Sequence, residues 1–195
     1  MKTSRLIVAV TALLLALTGE NAVCHEGSHS TALKRRTVDY VVPAVEVVRE
    51  DGKSVAFSEE VNKDGPVVVN FIFTSCETIC PLSSRTFSAL QDKLGAQQDR
   101  VRLVSVSIDP EQDTPARLAA YAAKYHAGPA WHHYTGSIDA IKSIQRAFDA
   151  YRGQKMEHGP VTFVRAATSA PWIRLDGFAT AETLMTELRP MLAGR

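Results

Sequence analysis

Residues 67–81 limit the possible folds of this chain more than any other part of the sequence. This stretch begins with apolar and β-branched residues that continue to Phe73, a pattern that predicts a buried β-strand. Cys76 and Cys80 follow, and Pro81 then opens a predicted helix. This order places both thiols at the carboxyl end of a central strand, where open α/β sheets form their sites. Amide groups at a helix N-terminus stabilise a thiolate, which makes the thiol a better nucleophile and a better metal ligand.

The cysteine content fits reactive thiols better than structural ones. The chain has three cysteines, whereas a scaffold that depends on disulfides is usually smaller and richer in cysteine. The Cys76–Cys80 pair is therefore available for redox chemistry or for metal binding. The third cysteine, Cys24, is followed by His25 and His29. Short Cys/His tracts bind metals with little specificity, so metal capture on a mobile arm and a processed leader both remain open.

The N-terminus predicts export. Lys2 and Arg5 precede an apolar segment of about a dozen residues, Leu6 to Leu17, which is typical of a signal peptide and short for a spanning helix. We therefore predict that residues 1–24 are a cleaved signal peptide or a membrane or lipid anchor. The folded domain would then be periplasmic, and an uncleaved segment would anchor it to the inner membrane.

The charge balance argues against nucleic acid as a partner. The full chain has 22 basic and 21 acidic residues. Removing residues 1–24, which contain Lys2, Arg5 and Glu20, leaves 20 of each sign. A nucleic-acid-binding domain would need a clear basic excess to neutralise phosphates.

The rest of the chain predicts one α/β domain. Residues 25–37 are polar and predict a mobile linker ahead of a folded domain at 38–195. That domain begins with a β-hairpin, strands 41–49 and 54–57 joined by an Asp-Gly turn. From Val67 onward the patterns follow the order β-α-β-α-β-α-β-β-α, which implies parallel crossovers and an antiparallel edge. We predict a thioredoxin-like fold, with a central mixed sheet flanked by helices and an N-terminal β-hairpin.

A third ligand would separate a reversible disulfide from a metal site. His158 is the best candidate, because it precedes a Gly-Pro turn and a predicted strand at 161–164. In a thioredoxin-like sheet the loop before the penultimate strand lies against the dithiol loop. Two thiolates and an imidazole suit copper: the sulfurs favour Cu(I), and the nitrogen tolerates Cu(II). Asp109 ends the predicted strand 101–108, from where its carboxylate could orient the ligands.

Two motifs resemble those of the Sco/SenC family, the copper-binding proteins of cytochrome c oxidase assembly. Residues 71–81, Phe-Ile-Phe-Thr-Ser-Cys-Glu-Thr-Ile-Cys-Pro, resemble the CxxxCP copper motif of that family. Residues 104–115 resemble its second signature, an S-x-D-P-x-x-D-T-P run. His158 falls where the family places its histidine ligand. The similarity spans roughly residues 40–192, nearly the whole exported domain.

The resemblance implies both a ligand set and a partner. Cys76, Cys80 and His158 would bind copper, and a monomeric protein would deliver it to the CuA centre of cytochrome c oxidase subunit II or to a related copper oxidase or reductase. Other copper chaperones would exchange the metal with it. The alternative is a thiol–disulfide oxidoreductase that keeps the CuA-site cysteines reduced, with Cys76 as the attacking thiol.

Overall fold

The computed structural model describes residues 33–193, which form one eight-stranded sheet with helices on both faces. The strands are β1 (Lys34–Val38), β2 (Glu46–Arg49), β3 (Ser54–Ala56), β4 (Val67–Ile72), β5 (Arg102–Ser107), β6 (Trp131–Gly136), β7 (Val161–Arg165) and β8 (Trp172–Asp176). The helices are α1 (Phe57–Asn62), α2 (Ile79–Leu94), α3 (Pro115–Lys124), α4 (Ile138–Ala147) and α5 (Ala181–Ala193). Short 3-10 helices cover Gly95–Arg100 and Lys155–Glu157.

The sheet is mixed, in the order β1-β8-β7-β4-β5-β6-β2-β3. Its centre is parallel, because β5 pairs parallel with both β4 and β6. Every pairing outside this centre is antiparallel, including those of β7 with β4 and of β2 with β6. The predicted mixed sheet with flanking helices and an N-terminal hairpin is therefore confirmed.

The central strand β4 is buried at all six positions. Val68 and Ile72 face one hydrophobic cluster, whereas Val67, Val69 and Phe71 face the other. Successive side chains of a strand point to opposite faces, so a strand covered on both sides must be apolar on both. This requirement explains the nearly continuous apolar run in the sequence.

Within residues 33–193, three helices cover one face of the sheet and two cover the other. The cluster on one face takes side chains from α2, α3 and α5, including Phe87, Leu90, Leu118, Leu184 and Leu188. The cluster on the other face takes side chains from α1 and α4, including Phe57, Val61, Ile141 and Ile144. The loops that follow β4 and β5 lie at the same end of the sheet, because these two strands are parallel.

The prediction of a linker at residues 25–37 is wrong where β1 forms. Lys34–Val38 pair antiparallel with β8 at the edge of the sheet. Ion pairs join Arg35 to Glu187 and Arg36 to Asp176. An edge strand is held by main-chain hydrogen bonds and tolerates charged side chains, so its polar composition does not reveal it.

The predicted hairpin is also shorter than expected: its first strand begins at Glu46 instead of residue 41, and its second strand ends at Ala56 instead of residue 57. Phe57 begins α1 instead of closing a strand. Phe57 and Val61, one helical turn apart, are both fully buried. Six residues are too few for a clear 3.6-residue period, which is why the sequence pattern did not distinguish this helix from a strand.

Several expectations concern residues outside the described range of 33–193. These are the signal peptide or anchor at 1–24, the first part of the predicted linker, and the metal-capture role of Cys24, His25 and His29. Within 33–193, the structure contains no helix that is both long enough and apolar enough to cross a membrane.

Candidate functional site

Cys76 and Cys80 lie where β4 leads into α2. The Cys76 N–H donates to the carbonyl of Phe73 at 3.1 Å, which turns the chain after the strand. Cys80 lies in the first turn of α2, and its N–H points to Cys76 Sγ with an N–S distance of 3.4 Å. Both cysteines are free thiols. Cys76 is half-buried and Cys80 is buried, so one sulfur is open to partners and the other is enclosed.

The surroundings of the two thiols push their pKa values in opposite directions. Burial acts to raise the pKa of Cys76, but hydrogen bonds from backbone groups at the start of α2 and from the Cys80 thiol outweigh it, so the pKa is lowered. Burial raises the pKa of Cys80 well above its ordinary value, and the negative charges of Cys76 and Asp113 add to this rise. Cys76 is therefore the thiol that ionises first, as a nucleophile or metal ligand must.

His158 follows the 3-10 turn Lys155–Glu157 and is almost fully buried. Its ring packs edge-on against Phe71, with ring centroids 6.0 Å apart. Burial lowers the pKa of His158 to about 4, although hydrogen bonds to the backbone at Phe71 and Ala150 act to raise it. The imidazole is therefore neutral at pH 7, which is the form that binds metals.

The structure brings the cysteine pair together. It places His158 on the segment 155–158, which we call the histidine segment. His158 contacts Phe71 near the end of β4, and the dithiol loop begins directly after that strand. Among residues 33–193, no group of three or more His, Cys, Asp or Glu side chains is arranged to hold a metal ion. We call this buried placement of His158, against Phe71 and Ala150, its resting position.

Asp109 contacts the histidine segment. It is buried, and its Oδ2 accepts a hydrogen bond from Lys155 Nζ at 2.5 Å. The Lys155 ammonium also lies over the ring of Phe73, 5.6 Å from its centroid. The Asp109–Lys155 ion pair thus joins the end of β5 to the turn that carries His158.

Asp113 is a residue to which the sequence patterns assigned no role. It is completely buried and accepts hydrogen bonds from Thr74 and Ser107. Thr74 belongs to the loop that leads to Cys76, so Asp113 positions the dithiol loop against the end of β5. The signal was present as the second acid of the S-x-D-P-x-x-D-T-P run, in which an acid at a turn suggests a hydrogen-bonding role.

An open cavity of about 490 Å³ adjoins the histidine segment. His158, Lys155 and Asp109 form one side of it. The opposite side comes from α4, where Lys142 and Gln145 line the wall. The histidine segment therefore has unfilled space beside it.

The sequence profile of the SCO1/SenC family matches residues 35–192. The chain belongs to the SCO1/SenC family. This SCO1/SenC protein is 41% identical over 88 residues to the SCO1 protein homolog of Bacillus subtilis strain 168. The aligned segment covers 45% of this chain and 45% of that relative, so the match spans less than half the relative's length.

Solved Sco structures share the fold. One is BsSco, described as having a disulfide switch and as a member of the Sco family of cytochrome c oxidase assembly proteins. It has a TM-score of 0.66 and 26% identity, covering 80% of this chain and 95% of that one. Arabidopsis thaliana ScoI with copper bound has a TM-score of 0.64 and 24% identity, covering 80% of this chain and 99% of that one. These likenesses confirm the predicted thioredoxin-like fold.

Proposed function

We propose that this SCO1/SenC protein is a copper chaperone that binds copper through Cys76, Cys80 and His158 and assists assembly of the CuA centre of cytochrome c oxidase. The observation that carries the proposal is the thiol pair at the end of β4, with one sulfur half-buried and stabilised as a thiolate by the start of α2. The copper-bound relative and the oxidase-assembly relative named above support the same assignment.

The donor set fits copper. Two sulfurs are soft ligands that suit Cu(I), and a neutral imidazole nitrogen extends the set to Cu(II). Cys76 supplies a thiolate readily, whereas Cys80 has to release a proton before its sulfur can bind. Because metal binding then displaces protons, copper affinity should rise with pH.

Binding through all three ligands requires a change at His158. Since no three-ligand group is preformed among residues 33–193, the histidine has to leave its resting position and approach the sulfurs. The open cavity beside His158 gives the side chain room to leave its resting position, although neither Cys76 nor Cys80 lines that cavity. The Asp109–Lys155 ion pair limits this movement.

Copper titration of the purified protein tests the ligand set. We expect Cys76→Ser and Cys80→Ser each to abolish tight Cu(I) binding, and His158→Ala to weaken Cu(II) binding and remove its charge-transfer absorption. His126→Asn is the matched histidine control, because His126 is exposed and asparagine tolerates its positive φ of 54°. Unchanged Cu(II) affinity and absorption in His158→Ala would overturn the histidine assignment.

Transfer of the metal tests the partner. Copper-loaded protein mixed with an apo-CuA domain of oxidase subunit II should load that domain, as followed by its CuA absorption. A related copper oxidase or reductase domain and another copper chaperone serve as alternative acceptors. Failure to load any acceptor would remove the delivery role while leaving copper binding intact.

A second function, thiol–disulfide exchange, is favoured by the unequal thiols. Cys76, half-buried with a lowered pKa, would attack a disulfide of the CuA domain. The resulting mixed disulfide would be resolved by Cys80, which releases the reduced partner and leaves a Cys76–Cys80 disulfide. The test mixes reduced protein with an oxidised CuA-domain peptide. Peptide reduction that His158→Ala does not slow would support exchange, and no reduction would exclude it.

We also propose that the protein acts as a monomer in the periplasm, with residues 1–24 as a signal peptide or an inner-membrane anchor. The n-region and apolar segment support this assignment. Fractionation of cells that express the full chain would test it, since a cleaved signal leaves the protein in the periplasmic extract and an anchor leaves it with the membranes.

A further inference from the structure

Arg174 is a buried cation that the proposed copper and thiol chemistry does not use. It lies in β8 and only 2% of its surface is exposed. Its Nη1 donates to the carbonyl of Phe148 at 2.8 Å and to that of Asp149 at 3.1 Å. Its Nε donates to Asp176 at 2.8 Å, and the guanidinium lies over the ring of Phe163. Burying a charge is costly unless it is paired and hydrogen-bonded, so these contacts indicate what the cation holds.

The two carbonyls belong to the turn that ends α4. Asp149 has a φ of 49°, a left-handed conformation that glycine, asparagine and aspartate adopt more readily than other residues. The next residue, Ala150, is buried, and its N–H donates to the carbonyl of Gln145 at 2.7 Å. The Asp149 N–H donates to the carbonyl of Arg146 at 3.0 Å, which completes the end of the helix. Arg174 supplies two hydrogen bonds to this turn from the sheet.

The same turn receives the ring of His158. His158 and Ala150 are both buried. Arg174, Ala150 and His158 also line one small cavity of about 70 Å³. On the other side, the ring of Phe148 packs 6.2 Å from that of Phe71, which contacts His158. The turn thus forms one wall of the resting position of the histidine.

We infer that Arg174 is a positioning residue for His158: it fixes the turn at residues 148–150, and the turn holds the imidazole in its resting position. The consequence for copper rests on the proposed function. If copper draws His158 from this position, Arg174 determines what fraction of molecules has the histidine available, and apparent copper affinity scales with that fraction.

The test compares Arg174→Met with Arg165→Met in the full protein without copper. Arg165 is also a buried sheet arginine, which donates to the carbonyl of Val61 at 2.8 Å and stacks over Trp172 at 4.3 Å. It lies at the end of β7 remote from the His158 turn. Both substitutions remove a buried guanidinium from the sheet. Only Arg174→Met removes hydrogen bonds to the turn at residues 148–150.

Hydrogen–deuterium exchange at the C2–H position of histidine, read by peptide mass spectrometry, reports how exposed each ring becomes. His133 is the internal reference, because it is fully buried in β6 and burial also lowers its pKa to about 4. Global opening would expose His133 and His158 together. Local release would expose His158 alone.

Arg174→Met should raise His158 exchange at least about fivefold relative to His133, the change expected if even one of the two hydrogen bonds to the turn contributes its usual net amount. Arg165→Met should leave the ratio unchanged. Equal changes at both histidines, or none, in Arg174→Met would overturn the inference. If the methionine variant does not fold, the ratio is measured in Arg174→Lys, which keeps the cation but loses the planar guanidinium, and it should again rise above the wild-type ratio.

Copper then separates this inference from the proposed function. If Arg174→Met releases His158 and raises Cu(II) affinity, and His158→Ala abolishes that gain, both stand. If the exchange ratio rises while Cu(II) affinity does not change, Arg174 positions the histidine but the histidine is not a copper ligand. If the exchange ratio does not change, the inference fails whether or not the Cu(II) affinity changes.

Discussion

Asp113 holds Thr74 with both of its carboxylate oxygens. Its Oδ2 accepts the Thr74 N–H at 3.0 Å, and its Oδ1 accepts the Thr74 hydroxyl at 2.5 Å. The hydroxyl of Ser107 donates to the same carboxylate at 2.6 Å. Because Thr74 lies two residues before Cys76, a single buried carboxylate ties the dithiol loop to the end of β5.

Replacing Asp113 by asparagine should destabilise the protein. The amide presents one acceptor oxygen where the carboxylate presents two, and hydrogen bonds to a charged group contribute about 2 kcal/mol each. We expect a loss of about 2 kcal/mol in the free energy of unfolding, measured with urea. Asp99→Asn, at an exposed position, is the control. Equal urea midpoints for the two variants would mean that Asp113 does not brace the loop.

The two cysteines should react with alkylating agents at different rates. Cys76 is half-buried with a lowered pKa, whereas Cys80 is buried with a raised one. Since the thiolate is the reactive form, we expect iodoacetamide at pH 7.5 to label Cys76 at least about tenfold faster than Cys80. Peptide mass spectrometry measures both sites in one sample. Faster labelling of Cys80 would reverse the assignment of the attacking thiol.

The Asp109–Lys155 ion pair should slow copper capture. The Oδ2–Nζ contact of 2.5 Å fixes the turn that precedes His158. Lys155→Gln should loosen that turn and increase the rate of Cu(II) association about threefold, because more molecules present the histidine. Stopped-flow absorbance at the charge-transfer band gives this rate. Lys142→Gln, from the wall of the same cavity, is the control and should associate at the wild-type rate.

His133 should make the fold sensitive to acid. Burial lowers its pKa from 6.5 to about 4, despite the nearby charge of Glu50. The folded value lies below the unfolded one, so the unfolded chain takes up the proton first. The stability contributed by the neutral ring is complete above pH 6.5 and is lost as the pH falls from 6.5 through 4, by about 3 kcal/mol in all.

Substituting His133 by leucine should therefore flatten the acid limb. Denaturant unfolding between pH 7 and 4 should show a shallower decline in unfolding free energy for His133→Leu than for wild type. A remaining decline is expected from His158, whose pKa burial also lowers to about 4. His126→Asn should follow the wild-type curve. Parallel curves for wild type and His133→Leu would exclude His133 as a source of acid lability.

Local sequence patterns predicted β4 and the start of α3, because the residues that specify each of them lie within a few positions of one another. The apolar run after Val67 predicted β4, and the structure has that strand at Val67–Ile72. Thr114 and Pro115 predicted the start of α3, where the Thr114 hydroxyl accepts the N–H of Arg117 at 3.3 Å. By contrast, β1 is stabilised by pairing with β8, more than 130 residues later in the chain, and no local pattern encodes such a partner.

The order of residues along the chain was enough to predict the chemistry of the candidate site: two thiols spaced by three residues after a buried strand, a distant histidine, and an acidic signature that resembles the Sco/SenC family. The differences between these groups arise in the folded protein. Burial and the hydrogen bonds at the start of α2 separate the pKa values of Cys76 and Cys80. Asp109 contacts the histidine turn, and Asp113 contacts the dithiol loop. Burial, hydrogen bonding and charge arise from groups remote in sequence, so they exist only after the chain has folded.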